Sequence, residues 1–306
     1  MLGRHVNTRV FVLRQCRKQL AGELRFYDLC NFTWIHGSSE YKEGSFRTPT
    51  LEPITPMAIQ LIVSDVDGCM TPEASVAWDF DHFAQLCRLV QQASTGQGPL
   101  PPLTLCTGRP QPYVEALMKL MNIRLPAICE AGAIIYDLSS NHARYTDGVT
   151  PAKLAGLRAV RCFVEEQILP RFPGTLIQFG KEAQLSIYCE KPDIFPTIRQ
   201  LLESFITQRG GPELDISASH FYLNIGLAGV DKGLAIRDIL KLTGIDKAHA
   251  AGIGDTEGDL AIRREVAWFA CPANATGPIK AVADYVSPYP MLEGMLDILK
   301  RLSTSA

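Results

Sequence analysis

From residue 57 onward, short apolar runs alternate with longer stretches of helical period. Ala58-Ile59-Gln60-Leu61-Ile62-Val63 reads as a first strand. Trp78 to Ala93 places Phe83, Leu86 and Val90 at helical spacing. Leu103-Thr104-Leu105-Cys106 has the length and polarity of a buried strand. Tyr113 to Met121, opened by prolines, predicts a second helix, and Ala127-Ile128-Cys129 another strand. Strands alternating with helices predict βαβ units and a parallel sheet.

The order changes between residues 150 and 228. Pro151 to Leu169 carries Leu154, Leu157, Val164 and Ile168 on one helical face. Two strands follow, Thr175 to Phe179 and Gln184 to Cys189, separated by Gly180-Lys181-Glu182. A helix with Ile194, Ile198, Leu201, Leu202 and Phe205 ends at Gly210-Gly211-Pro212. Glu213 to Ser217 and Phe221 to Ile225 are two more strands. The last alternates Phe221, Leu223 and Ile225 against Tyr222 and Asn224, one set for each face. The order αββαββ predicts a small antiparallel sheet with helices on one face.

After Lys232 the strand–helix alternation resumes, with a helix to about Leu242 and strands at His249 to Ile253 and Ala267 to Ala270. Two helical stretches close the chain. The expected fold class is α/β. A doubly wound, mostly parallel sheet is built from residues 57–149 and 229–306. A small α+β domain, residues 150–228, is inserted into it. Residues 1–56 are read as a leader outside the fold. Their start is Arg-rich and has no acid before Glu23, as in a transit peptide, but no serine precedes Ser38.

Composition mainly excludes. The 306 residues carry a formal charge of −2, which gives no basic footprint for nucleic acid. No apolar run approaches the roughly 20 residues of a membrane span. The nine cysteines show no C-x-x-C pair. Cys106, Cys129 and Cys271 fall inside apolar runs and read as reduced core thiols of a cytoplasmic protein.

Four short elements carry the chemistry. Leu61-Ile62-Val63-Ser64 runs into Asp65-Val66-Asp67-Gly68, two carboxylates at the end of a buried strand. Leu105-Cys106-Thr107-Gly108-Arg109 ends a second strand in a hydroxyl and a glycine. Val230-Asp231-Lys232-Gly233 sets a lysine at a helix start, where the dipole disfavours a cation and a separate reason is needed. Gly254-Asp255-Thr256-Glu257-Gly258-Asp259 ends a third strand in another acid pair. In a doubly wound sheet the carboxyl ends of the strands converge on one crevice.

Clustered carboxylates repel unless a cation stands between them, and Mg²⁺ suits hard oxygen ligands. Phosphoryl transfer uses such a set. It needs a nucleophile, neutralisation of the phosphoryl oxygens and a group that handles the leaving group's proton. Asp65 can attack as the nucleophile. Asp67 can protonate the leaving oxygen and then activate water. Thr107 can hold a phosphate oxygen, and Lys232 with Mg²⁺ can shield the charge.

These four elements, in this order, resemble the haloacid dehalogenase superfamily of phosphohydrolases. The Thr-Gly-Arg and Val-Asp-Lys-Gly forms are similar to its Cof-like and sucrose-phosphatase-like branch, in which an α/β cap lies between the second and third motifs. The resemblance covers residues 57 to about 302 and implies a Rossmann-like core with residues 150–228 as the cap. It implies that Asp65, Asp67, Thr107 and Lys232 are catalytic. It implies that Thr107, Gly108, Arg109 and Lys232 contact the substrate. Asp65, Asp67, Asp255 and Asp259 would hold Mg²⁺. The sequence departs from the family at Cys69, at Ala131 and at Gly258, the last two standing where asparagine is common.

The expected activity is therefore a Mg²⁺-dependent phosphatase acting through an aspartyl-phosphate on a small phosphorylated metabolite, a sugar or polyol phosphate. Neither nucleic acid nor membrane is expected as a partner. Two other readings stay open, a phosphomutase of the same fold and a non-catalytic binding protein. Arg109 either binds phosphate or pairs with a carboxylate such as Glu130. Lys181 and Glu182 read as a solvated turn, with substrate contact as the alternative. His82, His142, His220 and His249 show no ligand spacing, and only His220 is considered for a contact from the cap.

Overall fold

In the computed structural model, residues 59–72, 76–209, 214–219 and 221–304 are described. The leader and His220 lie outside them. The chain begins with β1 (Leu61–Ser64), whose four residues are all buried. Asp79 then caps α1 (Phe80–Ser94) by accepting from the backbone of His82. Strand β2 (Leu103–Leu105) leads to α2 (Gln111–Met121), which starts at prolines and ends on Asn122 in a left-handed conformation. A three-stranded antiparallel sheet follows, β3 (Ala127–Cys129), β4 (Ile134–Asp137) and β5 (His142–Tyr145).

The inserted segment opens with α3 (Pro151–Phe163), capped by Thr150 and continued by a π-helical turn, Val164–Ile168. It then forms β6 (Leu176–Ile177), β7 (Leu185–Tyr188), α4 (Phe195–Gln208), β8 (Leu214–Ala218) and β9 (Tyr222–Leu227). The four strands make one antiparallel sheet in the order β6-β7-β9-β8. Alternation in β9 buries Leu223, Ile225 and Leu227 and leaves Tyr222 and Asn224 on the other face.

The chain returns through α5 (Lys232–Thr243), capped by Asp231 and stopped by Gly244 at φ 69°. It continues with β10 (Ala250–Ile253), α6 (Leu260–Arg264), β11 (Trp268–Cys271), α7 (Gly277–Val282), β12 (Tyr285–Val286) and α8 (Met291–Thr304). The parallel sheet has the order β12-β11-β10-β1-β2, so β1 is an interior strand, with β10 and β2 on either side.

Two expectations change, and three strands are added. Strand β3 does not run in the parallel sheet. It touches β2's end through a single bridge, Cys106 to Ile128, and pairs antiparallel with β4. The hairpin of β4 and β5 and the short edge strand β12 have no clear period in sequence; their pairing partners form them. The inserted helix read as Pro151 to Leu169 changes its hydrogen-bond register at Val164.

Candidate active site

The interior position of β1, between β10 and β2, sets the site. Asp65 follows its last residue, and the Asp65 N–H donates to Ile253 of β10 at 2.9 Å. The chain then turns sharply, with Gly68 at φ 76°. A Cβ on Gly68 would lie 2.0 Å from Asp255 Oδ2, so only glycine lets the Asp255 carboxylate sit against this turn. Asn274, which sequence reasoning did not single out, pins the same turn by donating to the Gly68 carbonyl at 2.9 Å.

Lys232 resolves the oddity of a cation at a helix start. Its Nζ donates to Asp65 Oδ1 at 2.8 Å and to Asp259 Oδ1 at 2.6 Å, and all three side chains are buried. Burial works against the ammonium, but Asp259 and Asp65 overcome it and hold Lys232 well above the usual lysine range. Asp65 is pushed up to about 7 by burial and by Asp259, with Lys232 pulling the other way.

Asp255 and Asp259 do not share a helical face. Asp259 closes a 3₁₀ turn, Glu257–Asp259, and its Oδ2 accepts from the backbone of Asp255 at 2.9 Å and of Thr256 at 3.1 Å. Both oxygens of Asp259 are thus engaged. Asp65, Asp255 and Cys69 bring one ligand atom each within 4.8 Å of one another. The carboxylates suit a hard divalent cation. Cys69 does not, because burial and then Asp255 push its thiol well above its ordinary range. The core side of the site sets four carboxylates, Asp65, Asp67, Asp255 and Asp259, against the cations Lys232 and Arg109. This donor set and charge balance fit Mg²⁺.

Arg109 pairs with a carboxylate, but with Asp67 rather than Glu130. Its Nε lies 2.8 Å from Asp67 Oδ2, and Nη2 reaches Oδ1. Thr107 is fully buried, and its Oγ1 accepts from the Arg109 N–H at 3.1 Å. This bond shapes the turn before α2; it does not cap the helix. Gly108 and Arg109 line the cavity, and Thr107 does not.

Glu130 has another task. Its carboxylate accepts from the backbone N–H groups of Glu182, Ala183 and Gln184, the shortest at 2.7 Å. It therefore grips the loop between β6 and β7. The turn that presents it is tight. Glu130, Ala131 and Gly132 all have positive φ, and a Cβ on Gly132 would lie 2.0 Å from the Asp231 carbonyl, just before Lys232. Ala131, at φ 54°, occupies a left-handed conformation in which asparagine would be at ease.

In the loop held by Glu130, the Glu182 side chain is exposed, as a solvated turn predicts, but Lys181 is not. Lys181 is buried, and its Nζ donates to Gln184 Oε1 at 2.8 Å and to Ser186 Oγ at 2.6 Å. One cavity of about 150 Å³ joins the two sides. The core contributes Asp65, Asp67, Arg109, Lys232 and Asp255, and the inserted segment contributes Lys181, Gln184 and Asn224 among others. The polar face of β9 was the sequence signal for this wall.

The sequence and the fold resemble those of known hydrolases. A model of the haloacid dehalogenase-like hydrolase family matches residues 182–299. The chain is 24% identical over 247 residues to a phosphoglycolate phosphatase of Sulfolobus acidocaldarius, covering 80% of this chain and 97% of that one. It is 28% identical over 245 residues to one of Archaeoglobus fulgidus, covering 79% and 96%. Over most of its length the chain is thus similar to phosphatases, and over residues 182–299 to haloacid dehalogenase-like hydrolases.

Solved structures of similar fold include the crystal structure of Thermoplasma acidophilum 0175, with a TM-score of 0.61, 24% identity and coverage of 80% of this chain and 98% of that one. The subclass IIB sugar phosphatase BT4131 of the haloacid dehalogenase superfamily gives a TM-score of 0.58 at 16% identity, covering 79% and 98%. Among the described residues no helix is long and apolar enough to cross a membrane.

Proposed function

We propose that this chain is a haloacid dehalogenase-like, Mg²⁺-dependent phosphatase of small phosphorylated metabolites, working through an aspartyl-phosphate on Asp65. The observation that carries this reading is the meeting of Asp65, Asp67, Lys232 and Asp255 in one cavity. Residues 57–149 and 229–306 act as the core, and residues 150–228 as the cap that covers the leaving group.

Asp65 attacks phosphorus, and the bond from phosphorus to the ester oxygen breaks. Asp67 gives that oxygen its proton as the alcohol leaves. Asp67 then takes a proton from water, which attacks phosphorus and breaks its bond to Asp65, releasing phosphate. Arg109 holds Asp67 in place until phosphoryl oxygens compete for the guanidinium. Lys232 neutralises charge beside Asp65, and Asp259 positions Lys232. Thr107 shapes the loop that presents Gly108 and Arg109 to the phosphate. Asp65 and Asp255 would hold Mg²⁺, with Asp67 and Asp259 adding negative field. Bound Mg²⁺ supplies charge neutralisation between Asp65 and the phosphoryl oxygens.

The named relatives include both phosphoglycolate and sugar phosphatases, so the sugar or polyol phosphate expectation is one of two substrate classes. The reading sets the enzyme in the cytosol, where thiols such as Cys106 and Cys129 stay reduced.

The test is phosphate release from a panel of metabolite phosphate esters, with Mg²⁺ and after chelation. The expected result is release that chelation removes and added Mg²⁺ restores. An isomerised ester without free phosphate would make the protein a mutase. No release from any ester would leave a binding protein.

A further inference from the structure

Cys69 stands beside the carboxylates of the floor and takes no part in the phosphoryl chemistry. It is fully buried and belongs to no disulfide. Burial and neighbouring charges act on its thiol, and no hydrogen bond does. Yet its Sγ and one oxygen each of Asp65 and Asp255 lie within 4.8 Å of one another, a span that small side-chain rotations close onto one ion.

The backbone holds all three residues in place. The Val66 carbonyl accepts from the N–H groups of Cys69, Met70 and Thr71, at 3.3, 2.8 and 3.0 Å. The Asp65 N–H donates to Ile253 at 2.9 Å. The Asp255 N–H donates to Asp259, and its carbonyl accepts from Thr276. Ligands fixed before an ion arrives cost little to organise on binding.

Mg²⁺ asks for oxygen ligands in an octahedron and keeps several waters, so it leaves the thiol aside. Zn²⁺ takes thiolate together with carboxylate, and three protein ligands with one further group complete its tetrahedron.

We propose that Asp65, Asp255 and Cys69 form a site for a thiophilic divalent cation such as Zn²⁺, and that filling it blocks the Mg²⁺-dependent reaction. The block rests on the phosphatase reading above, whereas the site stands on the ligand geometry alone. As the zinc–sulfur bond forms, the thiol proton leaves to water, because a coordinated thiol is deprotonated outright. Zn²⁺ would compete with Mg²⁺ for the same two carboxylates. Asp65 and Asp255 line the cavity and Cys69 does not, so a bond to sulfur draws the ion away from the space where a phosphoryl group would lie.

The experiment uses the full chain, reduced and freed of metal by chelation, with Zn²⁺ as the probe. X-ray absorption at one equivalent should show a single sulfur at about 2.3 Å among oxygen ligands at about 2.0–2.2 Å. The sulfur should vanish in Cys69→Ser. Competition with a chromophoric chelator should show Zn²⁺ binding at least about 10-fold weaker in both Cys69→Ser and Asp255→Asn, since loss of even an indirect partner of a metal ligand costs about 10- to 100-fold. Zn²⁺ should inhibit Mg²⁺-supported phosphate release, and Cys69→Ser should raise the inhibiting concentration by a similar factor.

The spectrum of the unaltered chain needs no variant to fold. No sulfur there, or more than one per zinc, would overturn the site. So would unchanged Zn²⁺ affinity in either variant, which would put the ion on other groups such as the exposed Cys162. Equal inhibition of Cys69→Ser and the unaltered protein would overturn the block. Absence of phosphate release from every ester would overturn the phosphatase reading and the block together, while the spectrum and the affinities would still decide the site.

Discussion

The floor and the wall of the cavity are built on opposite principles. The floor, on the core, concentrates charge. Lys232 is locked between Asp65 and Asp259, and Asp67 is locked to Arg109. The wall, on the inserted segment, relies on neutral amides and hydroxyls joined through one buried amine. Opposing charges at the floor suit a reaction in which charge moves between a carboxylate and a phosphoryl group. Hydrogen-bonding groups at the wall suit recognition of a group that does not react. The same division lets a superfamily keep its chemistry while its substrates change.

The largest contrast is expected at Asp65. Asp65→Asn should lower phosphate release by about 10⁴-fold or more, as removal of a nucleophile does, with an unchanged circular dichroism spectrum. Near-normal turnover would take Asp65 out of its role. Lys232→Ala should cost about 10²-fold or more in kcat, comparable to losing one transition-state donor. It should also lower stability in urea by about 3–5 kcal/mol, because two buried carboxylates lose their shared partner. A mild effect on both readouts would mean that another cation does the work.

Glu130→Gln tests the link between wall and core. The backbone donors of residues 182–184 would lose a charged acceptor, at a cost of about 1–3 kcal/mol in denaturant unfolding. An unaltered unfolding midpoint would show that the loop stands without this grip.

Lys181 should give a pH-dependent shift of opposite character to that of Lys232. Its pKa in the folded chain is lowered to about 7, so between pH 7 and its ordinary value of 10.5 the unfolded chain binds more protons. Its contribution to stability therefore improves as pH rises through that window. Lys181→Met should gain on the unaltered protein near pH 6, and the gain should shrink by pH 9, as read from unfolding midpoints. A difference independent of pH would show that Lys181 is not buried as a strained cation. The smallest effect is expected at Ala131, where Ala131→Asn should stabilise by about 0.5–1 kcal/mol by suiting its left-handed backbone. A loss of stability would mean that the larger side chain meets its neighbours.

Much of the floor was legible in one dimension. Asp65, Asp67 and Asp255 stand just past the ends of β1 and β10, and residues at neighbouring parallel strand ends must meet. Lys232 was marked by its misfit with the helix dipole. The pairings were not legible. Arg109 was read as binding phosphate or pairing with a carboxylate such as Glu130, and the carboxylate it meets is Asp67. Glu130 and Gln184 are 54 residues apart, and nothing local connects them. Lys181 follows a glycine at a hairpin, where local pattern favours a solvated residue, yet it is buried on Gln184 and Ser186. Hairpin β4–β5 and edge strand β12 are too short for period alone to mark.

The order of residues fixed most of the helices and the strands that carry the site, where those strands end and which chemical groups stand there. Those outcomes rest on local periodicity, caps and the geometry of parallel strands, all of which act over a few residues. Which carboxylate meets which cation, and which side chains the buried amine of Lys181 joins, was settled by folding. Such pairings depend on partners brought together from distant parts of the chain, as Ser186 and Asn224 are.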